Sequence, residues 1–392
     1  MEESNSTNII ESTDENPNLS LYLQADAIKD DFKQAWRPKT SISKEEAKQY
    51  ELEGQEGADI DPTREIFFTS EIKIQISGED KYINEFKVLG TIGQGSYSKV
   101  KHVIRQFKED DKICEDDYAM KMMHRPTLRR ERCAIYSNNG KFEISNALEK
   151  VYCEIEVWSQ VHHENIVKLF ELIESEGHDY IYLIIEYWDL GQLSTWDYKQ
   201  EIYWRNNAII DYFLNNQLKG VEFKSDDEMI EAVAKIIFKD VISGVECLHS
   251  KNFAHRDIKP DNVLVNSKDG KAKISDFSVS VQLNSPEDRL YSWDGTIAYA
   301  APESHVPDEN GFLVLPTDIW SVGVCMFTYI TQRVPFFAES ELEMQLNAQK
   351  NDVPKIENVS DNWNDIIQKM TSKDPLKRPT ASQLLEHPWF NS

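Results

Sequence analysis

Between Tyr82 and Ala119 apolar and polar positions alternate in short runs, the period-two pattern of half-buried strands. The order is strand, glycine turn, strand, charged loop and strand, with KEDDKICEDD as a solvated hairpin tip. This predicts a small antiparallel β lobe with one main helix, which starts near Asn146. Upstream, Ile72, Ile74 and Ile76 alternate within FFTSEIKIQI as a half-buried strand that extends the same sheet. Beyond Ser225 the period changes to that of a helix: Ile230, Val233, Ile237, Val241 and Leu248 form one stripe behind a capping-box pair, Ser225 and Glu228. A buried central helix inside a larger, mainly helical lobe follows, and the fold class is α+β. Residues 1–80 read as an acidic, largely flexible extension, and 81–390 as one domain with lobes at about 81–186 and 190–390. Within the extension Leu21, Ala25, Ile28, Phe32 and Ala35, with Trp36 next, recur at helical spacing and need something to dock on.

The chain has 392 residues and a formal net charge of −25, and 40% of its residues are hydrophobic, enough for a packed interior. So acidic a balance argues against nucleic acid, whose phosphates require basic stripes. The five cysteines are scattered and contain no CxxC, which fits reduced thiols in a cytoplasmic or nuclear protein and no structural zinc. No run of ~18 uncharged apolar residues is present to span a bilayer, and the start lacks the regions of a signal peptide.

The chemistry lies in a series of segments suited to phosphoryl transfer, which needs a phosphate cover, cations, metal ligands and a base. In GTIGQGSYSKV, Gly93 and Gly95 let the backbone approach phosphates and Val100 covers an adenine, while Ser98 stands where a third glycine is usual. In YAMKMM, Lys121 lies on an apolar strand and needs a partner; Glu154 in VYCEIEVW is the candidate. In HRDIKPDNVLV, Asp257 is placed to orient the substrate hydroxyl, Lys259 to stabilise the moving phosphoryl and Asn262 to bind Mg2+. In ISDFSVS, Asp276 is a second metal ligand with Phe277 beside it, and Ser278 replaces the usual glycine. A serine there does not take positive φ cheaply, so a restricted segment is expected. Further on, Glu303 is expected to pair with Arg378, and Asp318 to accept backbone hydrogen bonds from the catalytic loop.

These segments together resemble eukaryotic protein kinases over about residues 82–390, and HRDIKPDN with the Thr296 of GTIAYAAPE is similar to the serine/threonine branch. The resemblance implies the two-lobed protein kinase fold, ATP and Mg2+ as cofactors, and adenine contacts from Ala119, Glu186, Trp188 and Leu264. Within the branch the chain is similar to the calcium/calmodulin-dependent protein kinase kinases in three places: the insert beginning HRPTLRRERC and ending VYCEIE, DFSVS, and GQGSYSKVKH. This implies an upstream kinase acting on the activation loops of other kinases. The chain closes on HPWFNS without a calmodulin-binding tail, so calmodulin binding is not expected. Residues 194–224 form an aromatic, Asn-rich insertion without a counterpart in the pattern. Gln192 and Thr328 occupy positions where kinases preferring an upstream arginine carry acids, leaving Asp261, and Arg125, Arg129, Arg130 and Arg132 form a basic cluster that could dock a partner. Glu287, Asp288 and Asp294 are candidates to pair Arg256 in place of a phosphate on Ser292. The rival reading from another class is a pseudokinase scaffold, suggested by Ser98 and Ser278 and opposed by retention of every charged group named above.

Overall fold

The computed structural model describes residues 66–391 except 96, 110–111, 137–141 and 306–309. The Leu21–Trp36 stripe lies outside the described residues. The small lobe is an eight-stranded sheet with the order β1-β9-β10-β6-β5-β4-β3-β2. Its strands are β1 Phe67–Thr69, β2 Ile74–Ser77, β3 Asp80–Ile83, β4 Phe86–Gln94, β5 Ser98–Glu109, β6 Lys112–His124, β9 Leu169–Ile173 and β10 Tyr180–Glu186. All neighbours are antiparallel except β1, which runs parallel to β9. The sheet therefore begins at Phe67, inside the stretch read as the extension.

The insert between β6 and the main helix folds as α1 (Arg125–Arg130) and a hairpin, β7 (Arg132–Tyr136) with β8 (Phe142–Asn146). The main helix α2 (Ala147–Ser159) starts where expected, because the Asn146 side chain accepts from the Leu148 and Glu149 amides.

Two expectations need correction. The ladder between β5 and β6 runs out to Glu109 opposite Lys112, so KEDDKICEDD is mostly strand. Polar cross-strand partners on its open face, Gln106 with Glu115 at 2.7 Å and His102 with Asp117 at 2.7 Å, explain how a charged run stays extended. Ile74 and Ile76 are not half-buried but 47% and 78% exposed, since β2 is an edge strand with only β3 beside it. Ile72 alone of the three packs on the lobe's core, around Phe86, Tyr118 and Tyr182.

Past the hinge come β11 (Gly191–Gln192), the hairpin β12 (Ser194–Asp197) with β13 (Ile202–Arg205), and α3 (Asn207–Asn215). The large lobe is built round α4 (Asp226–Ser250), whose Ile230, Val233, Ile237, Val241 and Leu248 are all buried, as their spacing predicts. Ser225 caps its start, accepting from Glu228 N–H at 3.2 Å, but Glu228 reaches the Lys224 amide instead of closing the box. Two further short strands, β14 (Val263–Val265) and β15 (Ala272–Ile274), flank the cleft, and α5 (Leu315–Thr331) packs on α4. The core they enclose includes Trp320, Trp363 and Trp389, none of them exposed. Burial of each large apolar side chain contributes roughly 1.5–3 kcal/mol. No described helix is long and apolar enough to cross a membrane.

Candidate active site

A cleft of about 980 Å³ lies between the lobes, and Gly93, Gly95, Val100, Trp188, Leu264 and Asp276 are among the residues that line it. Its roof is the turn between β4 and β5, where Gly93 pairs with Val100 across the ladder and Gly95 N–H donates to the Ser98 carbonyl at 2.9 Å. A Cβ on Gly95 would stand 3.0 Å from Ser98 Oγ. A side chain at position 95 would therefore press on the Ser98 hydroxyl, which would have to turn aside by a few tenths of an ångström.

Lys121 sits on β6 between Val100 and Leu183, and its ammonium meets Glu154 Oε1 of α2 at 2.5 Å and Asp276 Oδ1 at 3.8 Å. Burial opposes the Lys121 charge, yet the two carboxylates hold its pKa above the usual value. Burial likewise opposes the Asp276 carboxylate, and Lys121 holds it below its usual range. The pair predicted from sequence is therefore formed, with the metal-ligand candidate as its third member.

The catalytic-loop groups converge on Asp257. Its Oδ1 accepts from the Thr296 amide at 2.9 Å, and its Oδ2 from Lys259 Nζ at 2.8 Å and Asn262 Nδ2 at 3.0 Å. Lys259 also donates to Thr296 Oγ1 at 2.7 Å. With the Asn262 amide nitrogen spent on Asp257, its Oδ1 and the Asp276 carboxylate are hard oxygen donors, the ligand type that Mg2+ takes. These residues fit the metal.

Two residues at the site, on separate segments, hold a backbone that few side chains adopt: Arg256 has φ +68° and Asp276 φ +64°. What stabilises Arg256 is Asp318 of α5, fully buried, which accepts from the His255 and Arg256 amides at 2.9 and 2.8 Å and pairs with His249 at 3.0 Å. Those hydrogen bonds keep its pKa below the usual range despite burial. Phe277 is buried between Trp158 and His255, with ring centroids 5.4 and 5.2 Å away. Ser278 is not among the positive-φ residues, and the left-handed position of this segment is Asp276. Glu303 and Arg378 form a bidentate pair at 2.6 and 2.8 Å.

Of the adenine candidates, Val100, Trp188 and Leu264 line the cleft, whereas Ala119 is wholly buried in β6. The Glu186 carboxylate is taken by Lys273 at 2.5 Å and its amide by the Lys168 carbonyl at 2.9 Å. Arg125 leaves the basic cluster: it is buried, bonded to Glu174 at 2.7 Å and to the Ser175 carbonyl, while Arg129, Arg130 and Arg132 are exposed. Arg256 bonds the carbonyls of Val279 and Ser292, both at 3.2 Å, beside the Trp293 ring, and Asp288 is occupied by Asn284 and Ser285. Sequence reasoning passed over Tyr203, whose hydroxyl donates to Asp261 Oδ2 at 3.1 Å from the unplaced insertion.

Residues 86–390 match the family model described as the protein kinase domain. The chain is 31% identical to serine/threonine-protein kinase GRIK1 of Arabidopsis thaliana, covering 80% of this chain and 69% of that one. It is 27% identical to a calcium/calmodulin-dependent protein kinase kinase of Caenorhabditis elegans, covering 84% and 56%, a modest likeness. With serine/threonine-protein kinase ssp1 of Schizosaccharomyces pombe the identity is 28%, covering 79% and 43%. The chain thus spans about two fifths to two thirds of the length of these relatives.

Proposed function

We propose, from the premise that this chain belongs to the protein kinase family, that it is an upstream kinase phosphorylating a threonine in the activation loop of a folded downstream kinase. The coarser activity is plain: it is an ATP-dependent serine/threonine kinase, and kinases of this family use Mg2+. In the assignment we favour, Asp257 takes the proton of the acceptor hydroxyl as that oxygen bonds to the γ-phosphorus and the bond to the ADP oxygen breaks. Lys259 and Lys121 supply cationic charge to the phosphoryl oxygens, and Glu154 keeps the Lys121 ammonium aimed into the cleft. Mg2+, when bound by Asn262 and Asp276, neutralises charge on the phosphates.

The observation that carries the finer reading is the exposure of Arg129, Arg130 and Arg132 on the insert next to α2, in a chain of net charge −25. Three exposed guanidinium groups on a short helix and strand offer a docking surface for an acidic patch on a folded partner. The nematode relative's name describes a kinase that acts on a kinase. The five free thiols favour a reducing compartment, cytoplasm or nucleus.

The test compares kcat/KM on a catalytically dead downstream kinase with that on the isolated peptide of its activation loop. Arg129→Glu with Arg130→Glu should lower the value on the folded protein at least tenfold and leave the peptide value unchanged. Robust peptide turnover together with indifference of the folded substrate to these changes would overturn the docking proposal.

A further inference from the structure

Kinases that select arginine upstream of the acceptor present acids at the positions of Gln192 and Thr328, and here both side chains are spent internally. The Gln192 amide donates to Thr195 Oγ1 at 3.1 Å, and Thr328, wholly buried, donates to the Val324 carbonyl at 2.8 Å. Asp261 is the carboxylate that remains, and the hairpin β12–β13 covers it. Tyr203 of β13 is buried, its hydroxyl on Asp261, its ring 5.0 Å from Trp196 and edge-on to Tyr299 at 6.3 Å. The hairpin is fastened to the end of α5: the Tyr203 amide donates to the Gln332 carbonyl at 2.8 Å. Arg205 Nη1 donates to the Tyr329 and Ile330 carbonyls at 3.1 and 2.8 Å.

We infer that Tyr203 is a specificity-determining plug, which occupies Asp261 and closes the place where a substrate's upstream arginine would otherwise find its carboxylate. An incoming guanidinium would have to break the phenol–carboxylate bond and expel a ring packed on two others, whereas Arg205 already supplies an internal cation to the helix end nearby. Thr195 and Asp261 line the same cleft as Lys259, so the plug stands at the wall of the site that holds the acceptor. The enzyme is then indifferent to arginine upstream, by construction of the hairpin and not only by absence of acidic residues. This goes beyond the docking proposal and rests only on protein phosphorylation.

The experiment measures kcat/KM on threonine peptides carrying either Arg or Gln at each upstream position, at enzyme concentrations high enough to read slow turnover. The Arg-to-Gln ratio of the unaltered enzyme should lie within about twofold of one. Tyr203→Ala should raise it roughly fivefold at one position, the scale of one partly solvated ion pair, and adding Asp261→Asn should return it to one. Should Tyr203→Ala fail to fold, Asp261→Asn alone still decides: a plugged carboxylate predicts an unchanged ratio. A fall in that ratio, a strong arginine preference in the unaltered enzyme, or a folded Tyr203→Ala without any gain would each overturn the plug. Loss of the docking proposal would leave every ratio as stated.

Discussion

Glu171, 8% exposed on β9, shows what a single buried carboxyl does to this molecule. Burial pushes its pKa up to about 7, although the Thr69 hydroxyl bonded to it pulls the other way. The folded chain therefore keeps a proton that the unfolded chain releases near pH 4.5, and stability falls as pH rises between those two values. The full penalty, on the order of 3 kcal/mol at most, is present above pH 7. Glu171→Gln should remove it, so the stability of the variant relative to the parent, from urea unfolding at pH 5 to 8, should climb through this window and then level off. Parallel curves would show that the carboxylate finds solvent or a cation. At this scale the charged residues that meet at the cleft were readable, because transfer chemistry admits few side-chain types at each point. Arg125 and Tyr203 were not: one is claimed by Glu174, 49 residues on, and the other by Asp261, 58 residues on.

Among the elements, the segment between Asp276 and Glu303 carries its own stabilising charges. Asp294 pairs with Lys150 of α2 at 3.5 Å, and Arg256, which a phosphate would otherwise engage, is held by the Val279 and Ser292 carbonyls and the Trp293 ring. The acid that matters is thus Asp294, and its partner is the helix bearing Glu154, not Arg256 directly. Protein shown by mass to carry no phosphate should transfer phosphoryl, and Asp294→Asn should reduce turnover by only a few fold, since half-exposed pairs are worth about 1 kcal/mol or less. An enzyme silent until Ser292 is modified would refute this. The hairpin β12–β13 was the element hardest to foresee. STWD and IYWR alternate as strands do, but the left-handed residue of their turn is Glu201, at φ +54°, where glycine or asparagine would have given the signal. The long helices were easier: α4 buries one consistent face over many turns, and α5, the most apolar helix, is buried on every side from Thr317 to Tyr329.

For the whole molecule, the α+β architecture followed from the switch between strand and helix periods, whereas the exposure of β2 depended on what lies beside it in space. The cleft itself belongs to neither lobe: Lys121 and Glu154 come from the small one, Asp257, Asn262 and Asp276 from the large one, joined through the 3.8 Å approach of Lys121 and Asp276. Nucleotide with metal should therefore act as a clamp between lobes, and by mass action at 100 times its Kd it stabilises by about 2.7 kcal/mol, or roughly 5 °C for a domain of this size. Lys121→Met and Asp276→Asn remove charges that serve ligands more than packing, so each should unfold in one cooperative transition when unliganded. Turnover should fall more than ~100-fold in both. The metal-dependent part of the ADP shift should vanish in Asp276→Asn and survive, weakened, in Lys121→Met. Near-normal turnover in either variant would break the site assignment. A wild-type chain that gains its shift with Mg-ADP and transfers nothing would be a nucleotide-binding scaffold, an outcome opposed by the intact set of charged groups in the cleft.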